Sequence, residues 1–183
     1  MLHSEENPWK TLSTRTIYEN PWIKVEEDQV LNPAQNQGIY GRVMFKSKAI
    51  GIVPLDEHLH TYLVGQYRYA LHEYSWEIPM GGSPEGEDIL YTAQRELKEE
   101  TGLEAQKWEM IARIHTSNSV TNEEGFVFLA ENLTLGETHF EETEVIQIKR
   151  VPLQEAIEMV MQNNITDSIS VAGLLKVARL KNL

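Results

Sequence analysis

Only one stretch in the first two thirds of this chain changes to helical period. Between residues 86 and 101, Leu90, Ala93 and Leu97 fall on a single stripe, and Gly102 stands where a helix C-cap belongs. At about 100° per residue, Glu96, Glu99 and Glu100 share one sector beside that stripe. Glu96 and Glu100 are then about 6 Å apart along the helix axis. Like charges at this spacing destabilise an isolated helix, so the acids call for a counter-charge. Hard oxygen ligands grouped beside a buried stripe suit Mg²⁺ or Mn²⁺. Arg95, four residues before Glu99, can hold one carboxylate, and Gly81 and Gly82 allow close backbone approach and expose a carbonyl. Helical position alone leaves both a metal site and a solvated acidic face open.

The flanks of this helix read as strands. Thr16-Ile17-Tyr18, Ile23 through Leu31 and Tyr40 through Phe45 are separated by turn chemistry at Asn20-Pro21 and from Asn32-Pro33 to Gly38. The first dozen residues read as a loose segment. Ala49–Pro54 and Tyr62–Gly65, joined by the polar stretch Asp56 to His60, predict a hairpin of buried strands. Further strands are predicted at Trp108–His115, Phe126–Ala130 and Val145–Val151, then helices at Leu153–Gln162 and Asp167–Leu180. Pro152 suits the first turn of the earlier helix and Asp167 the N-cap of the later one. The expected organisation is a β-rich section over residues 1–45 and a mixed α/β domain over residues 46–183.

Composition removes several functions. With 28 acidic and 16 basic residues among 183, the net charge is −12, which argues against coating nucleic acid or an acidic membrane. The absence of cysteine excludes disulfides, thiolate zinc sites and cysteine nucleophiles. Residues 1–6 show no basic or apolar leader pattern, and the longest apolar run, Ala49–Leu55, is too short to span a bilayer, so a soluble, cytoplasmic protein is expected. His58 and His60 read as a polar turn, and neither a P-loop, a dinucleotide fingerprint, HExxH nor GxSxG occurs. Residues 81–104 carry seven acids and two bases, a net of −5. Glu26-Glu27-Asp28 and Glu141-Glu142 read as solvated surface.

Spacing then narrows the reading. Gly81, five residues, Glu87, seven residues, then Arg95-Glu96-Leu97-x-Glu99-Glu100-x-Gly102-Leu103 matches the Nudix box at every defined position. A chance match is of order ~10⁻⁶ at ordinary residue frequencies. The chain resembles the Nudix hydrolases, which cleave a nucleoside diphosphate linked to another moiety. The resemblance implies an α/β class fold: an α/β/α sandwich with a mixed sheet, the box forming loop–helix–loop, and a β-rich N-terminal section used in dimerisation. It also implies metal-assisted attack of water on a diphosphate, with Mg²⁺ as cofactor and Mn²⁺ as a substitute. By the same resemblance Glu96 and Glu100 ligate metal, Glu99 ligates it or supports a ligand, and the Met80 carbonyl is a further ligand. Glu87 and Arg95 brace loop and helix, with Gly81 and Gly102 shaping the ends of the box.

The flanks of the box resemble one branch of that family. Gln66-Tyr67-Arg68 and Trp76-Glu77-Ile78-Pro79-x-Gly81 are similar to the ADP-ribose and nucleoside diphosphate sugar pyrophosphatases. Those enzymes often carry Ser-Pro-Gly-Phe-Ser-Asp-Glu before an apolar strand. Here Ser117-Asn118-Ser119-Val120-Thr121-Asn122-Glu123 and then Phe126–Ala130 keep the register. Glu123 thus matches the loop glutamate that serves as general base or extra ligand, with Glu124 its neighbour. Asn118 stands where ADP-ribose-preferring relatives usually carry proline, which favours broader nucleotide-sugar hydrolysis, GDP-mannose included. Arg68 is the candidate phosphate or sugar contact, since a guanidinium binds anionic oxygens bidentately. By analogy with dimeric relatives Trp22 stacks on the base and Arg42 reaches the partner's site, while Trp76 packs under the loop. The expected activity is Mg²⁺-dependent cleavage of a small-molecule nucleotide sugar to nucleoside monophosphate and sugar phosphate, by a homodimer with exchanged N-terminal sections. The alternatives are another nucleotide substrate, a dinucleoside polyphosphate or nucleoside triphosphate, or a Nudix ligand sensor without turnover.

Overall fold

The computed structural model describes residues 6–136 and 146–183. Met1 to Glu5, Glu141-Glu142 and Val145, the first residue of a predicted strand, lie outside the described residues. The chain divides into two compact units: Met1–Ser47 with Ser117–Glu123, and Lys48–Thr116 with Glu124–Leu183.

In the first unit, β1 (Lys10–Glu19), β2 (Ile23–Leu31) and β3 (Gln37–Phe45) form an antiparallel sheet in that order. Asparagine side chains shape both turns. Asn20 Oδ1 accepts the N–H groups of Trp22 and Ile23, and Asn32 Oδ1 those of Ala34 and Asn36. β1 begins at Lys10, opposite Leu31, so part of the segment read as loose is strand. Its residues are exposed on both faces within the chain, so hydrophobic alternation gives no signal and backbone pairing to β2 defines it.

The second unit contains β4 (Ser47–Leu55), β5 (His60–Arg68), β6 (Glu73–Glu77), β7 (Met80–Pro84), α1 (Ile89–Thr101), β8 (Leu103–His115), β9 (Glu124–Leu135), β10 (Gln147–Pro152), α2 (Leu153–Met161) and α3 (Ser168–Leu180). The sheet runs β10-β5-β4-β9-β8, with β6 on β5 and β7 on β4. β4 and β9 are parallel, whereas β4–β5, β5–β10 and β8–β9 are antiparallel, so the sheet is mixed. Alternating side chains of β4 and β9 point to two cores. Ile50, Ile52, Phe126 and Phe128 pack with Ala93 and Leu97 of α1. Val53, Val127 and Leu129 pack with Leu153 and Ala156 of α2 and with Ile169, Leu174 and Val177 of α3. Helices on both faces of one sheet make an α/β/α sandwich.

The predicted hairpin closes only at its tip. β4 and β5 register at Leu55 and Thr61, after which β5 takes β6 as its neighbour from Val64 opposite Glu77 to Arg68 opposite Glu73. Ile52 of β4 instead gives its N–H to the carbonyl of Pro79 (2.8 Å). Residues 77–80 are thereby tied to both diverging strands. Among the described residues no helix is long and apolar enough to cross a membrane.

Candidate active site

The geometry of the acidic helix starts with its caps. Asp88, extended at φ −69° and ψ 125°, accepts the N–H groups of Leu90 (3.0 Å) and Tyr91 (2.9 Å). Gly102 closes the helix at φ 71°, where a Cβ is unwelcome, and gives its N–H to Lys98. α1 thus begins three residues after the predicted start. With Ala93 and Leu97 fully buried against the sheet, the rotation of α1 is set, and so is the side on which its acids stand.

Arg95 organises that side. Its Nη1 meets Glu96 Oε1 at 2.7 Å and donates to Glu99 Oε2 at 2.8 Å. Its Nη2 faces Glu87 Oε2 at 3.6 Å and the Gly82 carbonyl at 3.4 Å. Thr92 Oγ1 donates to Glu87, tying that acid to the first turn of α1. Partial burial works against the guanidinium's charge, but Glu96, Glu99 and Glu87 outweigh it and hold the Arg95 pKa above its ordinary value.

Gly81 and Glu100 complete the group. A Cβ built on Gly81 would fall inside the Glu96 carboxylate, so the bare Cα is the cradle on which that carboxylate rests. Glu100, only 2% exposed, accepts the Met80 N–H on Oε2 at 2.9 Å. Residues 77–80 are in fact anchored one by one. Glu77 is gripped by Arg68 of β5, the Ile78 N–H donates to Ser170 Oγ of α3 (3.0 Å), the Pro79 carbonyl accepts from Ile52 of β4, and Met80 donates to Glu100 of α1. Ser170 was not singled out by sequence; its own N–H is capped by Asp167 (2.7 Å), the one local signal that points to it.

The donor chemistry suits a divalent cation. Glu87, Glu96 and Glu99 set three carboxylates around the guanidinium of Arg95, with Glu100 on the Met80 N–H beside the glycine cradle, and the donors are all hard oxygens. Among the described residues no three His, Asp or Glu side chains are placed together to hold a metal ion, and the box acids are turned to Arg95 and the Met80 N–H.

Other expected site residues have different surroundings. Arg68 turns its fork inward: Nε donates to Glu77 Oε1 at 2.9 Å and Nη2 to Oε2, and this buried partner is the main cause of its raised pKa. Where sequence reading has Arg68 on a phosphate or sugar, the structure has it on Glu77. Trp76 lies against the core with Tyr74 edge-on at 5.7 Å. In the first unit Trp22, 71% exposed, sits in the β1–β2 turn. Arg42 Nη2 donates to Glu26 Oε2 (2.9 Å), and its Nε lies 2.9 Å from Asp28 Oδ2. Asp28 is only 4% exposed, so Glu26-Glu27-Asp28 is not the solvated run expected. The strand pleat separates its members: Glu26 and Asp28 turn to Arg42, and Glu27 pairs with Arg15. Glu123 also belongs to the first unit, its N–H meeting Thr121 Oγ1 at 3.3 Å. Glu124, in the second unit, is paired with Arg113 across β8 and β9.

Comparison with known proteins gives the family and the fold. Residues 46–169 match the NUDIX domain model, and residues 9–43 match the nucleoside diphosphate sugar hydrolase N-terminal domain. An ADP-ribose pyrophosphatase of Mycobacterium tuberculosis is 33% identical over 177 residues, spanning 94% of this chain and 84% of that one. An ADP-ribose pyrophosphatase of Bacillus subtilis is 29% identical over 161 residues, spanning 87% and 86%. A crystal structure of an ADP compounds hydrolase superposes with a TM-score of 0.87 over 98% of this chain and 97% of that one, at 20% identity, which speaks to the fold. With its box intact and the family model covering well over half its length, the chain belongs to the Nudix family.

Proposed function

We propose that this Nudix hydrolase cleaves the diphosphate of nucleoside diphosphate sugars in a Mg²⁺-dependent reaction, releasing nucleoside monophosphate and sugar phosphate. From ADP-ribose the products are AMP and ribose 5-phosphate, and GDP-mannose belongs to the same substrate range. The observation that carries the reading is the acid cluster of α1 around Arg95, with the Glu96 carboxylate seated on Gly81. The match of residues 9–43 to a nucleotide-sugar hydrolase N-terminal domain, and two relatives named ADP-ribose pyrophosphatase, support the substrate class.

Glu96, Glu100, Glu99 and the Met80 carbonyl would hold the cation, with Mn²⁺ as a substitute. When bound, it neutralises charge on the diphosphate oxygens and acidifies the attacking water. Arg95 orients the carboxylates. Glu123 accepts the proton of the attacking water. In this reading Trp22 stacks on the base and Arg42 reaches the partner's site, while Arg68, which holds Glu77 in the free chain, is the contact for a phosphate or sugar oxygen. We read the chain as a cytoplasmic homodimer, and the apolar side chains left exposed on the N-terminal sheet, Leu12, Ile17, Tyr18 and Ile39, support association with a second copy. Neither nucleic acid nor membrane is a partner in this reading, in keeping with the net charge of −12.

A panel of nucleotide sugars, assayed with Mg²⁺ or Mn²⁺ and with products identified by mass spectrometry, tests the proposal. Metal-dependent monophosphate release is the expected result. Its absence from every member of the panel would overturn the reading.

A further inference from the structure

We propose that Asn122 is a positioning residue that sets Glu123 for proton transfer by docking its loop on the edge of β3 away from β2. The inference rests on the reading of Glu123 as proton acceptor. β2 takes one edge of β3 along its whole length, from Ile23 opposite Phe45 to Leu31 opposite Gln37. The loop Ser117–Glu123 takes the other edge. Val43 gives its N–H to the Val120 carbonyl (2.9 Å) and accepts from the Asn122 N–H (3.3 Å), a parallel bridge centred on Thr121. Tyr40 adds its hydroxyl to the Ser119 carbonyl.

Two residues further along β3 the pairing continues through a side chain. Phe45 donates its N–H to Asn122 Oδ1 (2.6 Å), and Asn122 Nδ2 donates back to the Phe45 carbonyl (3.3 Å). The carboxamide here replaces a peptide group, offering an acceptor and a donor on two separate atoms, which no carboxylate or methyl can do. Asn122 is therefore bonded to β3 through main chain and side chain together, and Glu123 is the next residue. The last residue before the glutamate is thus fixed on β3 at two points. Misplacing a reacting group by about 1 Å can cost ~100-fold in rate.

Steady-state kinetics on ADP-ribose at saturating Mg²⁺ test this, with wild type, Asn122→Ala, Asn122→Asp, Glu123→Gln and the double variant Asn122→Ala/Glu123→Gln. Asn122→Ala should lower kcat by roughly 10- to 100-fold while KM stays within about threefold. Asn122→Asp keeps the acceptor for Phe45 and loses the donor, so it should recover part of kcat; it also carries the test should the alanine variant lose its fold. Because Asn122 acts through Glu123, the double variant should be no slower than Glu123→Gln alone, whereas a merely structural role would add a second loss. Unchanged kcat in Asn122→Ala, or additive losses in the double variant, would overturn the inference while leaving Glu123 as base. Unchanged kcat in Glu123→Gln would overturn both, and no turnover by the wild type would overturn the proposed function itself.

Discussion

The Met80 backbone N–H donates to the Glu100 carboxylate across 2.9 Å, joining the first residue of β7 to the last turn of α1. A carboxylate as buried as Glu100 needs such a donor, because desolvation without a partner costs several kcal/mol. The same bond fixes the Pro79–Met80 peptide, next to the one whose Met80 carbonyl precedes the box glycine. One contact therefore stabilises the acid and shapes the loop proposed to share the cation with it.

Replacing Glu100 by Gln separates these two duties. The Gln side-chain oxygen still accepts the Met80 N–H, so the thermal midpoint should move by less than about 4 °C, equivalent to ~1 kcal/mol or less. The negative charge is lost, and kcat at saturating Mg²⁺ should fall at least ~100-fold. Calorimetry and steady-state kinetics on one preparation check both halves. Near-normal turnover would remove Glu100 from the site.

Gly81→Ala tests the glycine cradle. The added methyl occupies the place of the Glu96 carboxylate, which sits at the end of a flexible side chain and can move away. The fold should survive with a loss of about 1 kcal/mol or less, while Mn²⁺ affinity falls roughly 10- to 100-fold as one carboxylate is displaced. Titration with Mn²⁺ followed by electron paramagnetic resonance reads the affinity directly. Unchanged affinity would count against Glu96 as a ligand.

Ser170→Ala leaves the buried Ile78 N–H without the oxygen that now accepts it at 3.0 Å. An orphaned buried donor costs about 1–3 kcal/mol. The urea midpoint should fall by a corresponding amount. A midpoint within error of wild type would show that the 77–80 segment does not depend on α3.

How much of this was legible in sequence varies with the range of the forces involved. The apolar stripe and Gly102 terminus of α1 read directly because both are local, while the Asp88 cap, equally local, is the signal that places its start at Ile89 rather than at 86. The box acids read through spacing. β6 and β7 do not: each has five residues, and Met80-Gly81-Gly82-Ser83-Pro84 has little strand preference of its own, so neighbouring strands define it. The Arg68–Glu77 pair is also hidden, since nine residues separate its members and only the β5–β6 pairing brings them together. Asp28 was within reach of a closer reading. Its two-residue offset from Glu26 puts both acids on the face of β2 that meets Arg42, the residue registered opposite Glu26.

Glu131 gives a prediction in pH. It lies on β9 between Lys107 of β8 (2.5 Å) and Lys181 at the end of α3 (2.6 Å). The hydrogen bond from Lys107, then that from Lys181, outweigh desolvation and hold its carboxyl below the ordinary value of 4.5. A carboxyl with a lowered folded pKa contributes stability that is complete above its unfolded pKa and is lost as pH falls through the folded pKa. At pH 7 Glu131→Gln should therefore be less stable than wild type by about 1 kcal/mol, a modest figure because Lys107 is largely solvent-exposed. Below about pH 4 the gap should narrow steadily as the wild-type carboxyl takes up its proton. Urea unfolding of both proteins at pH 7, 5, 4 and 3 checks the sign as well as the size. A gap that stays constant down to pH 3 would mean that the two lysines do not act on Glu131 through its charge.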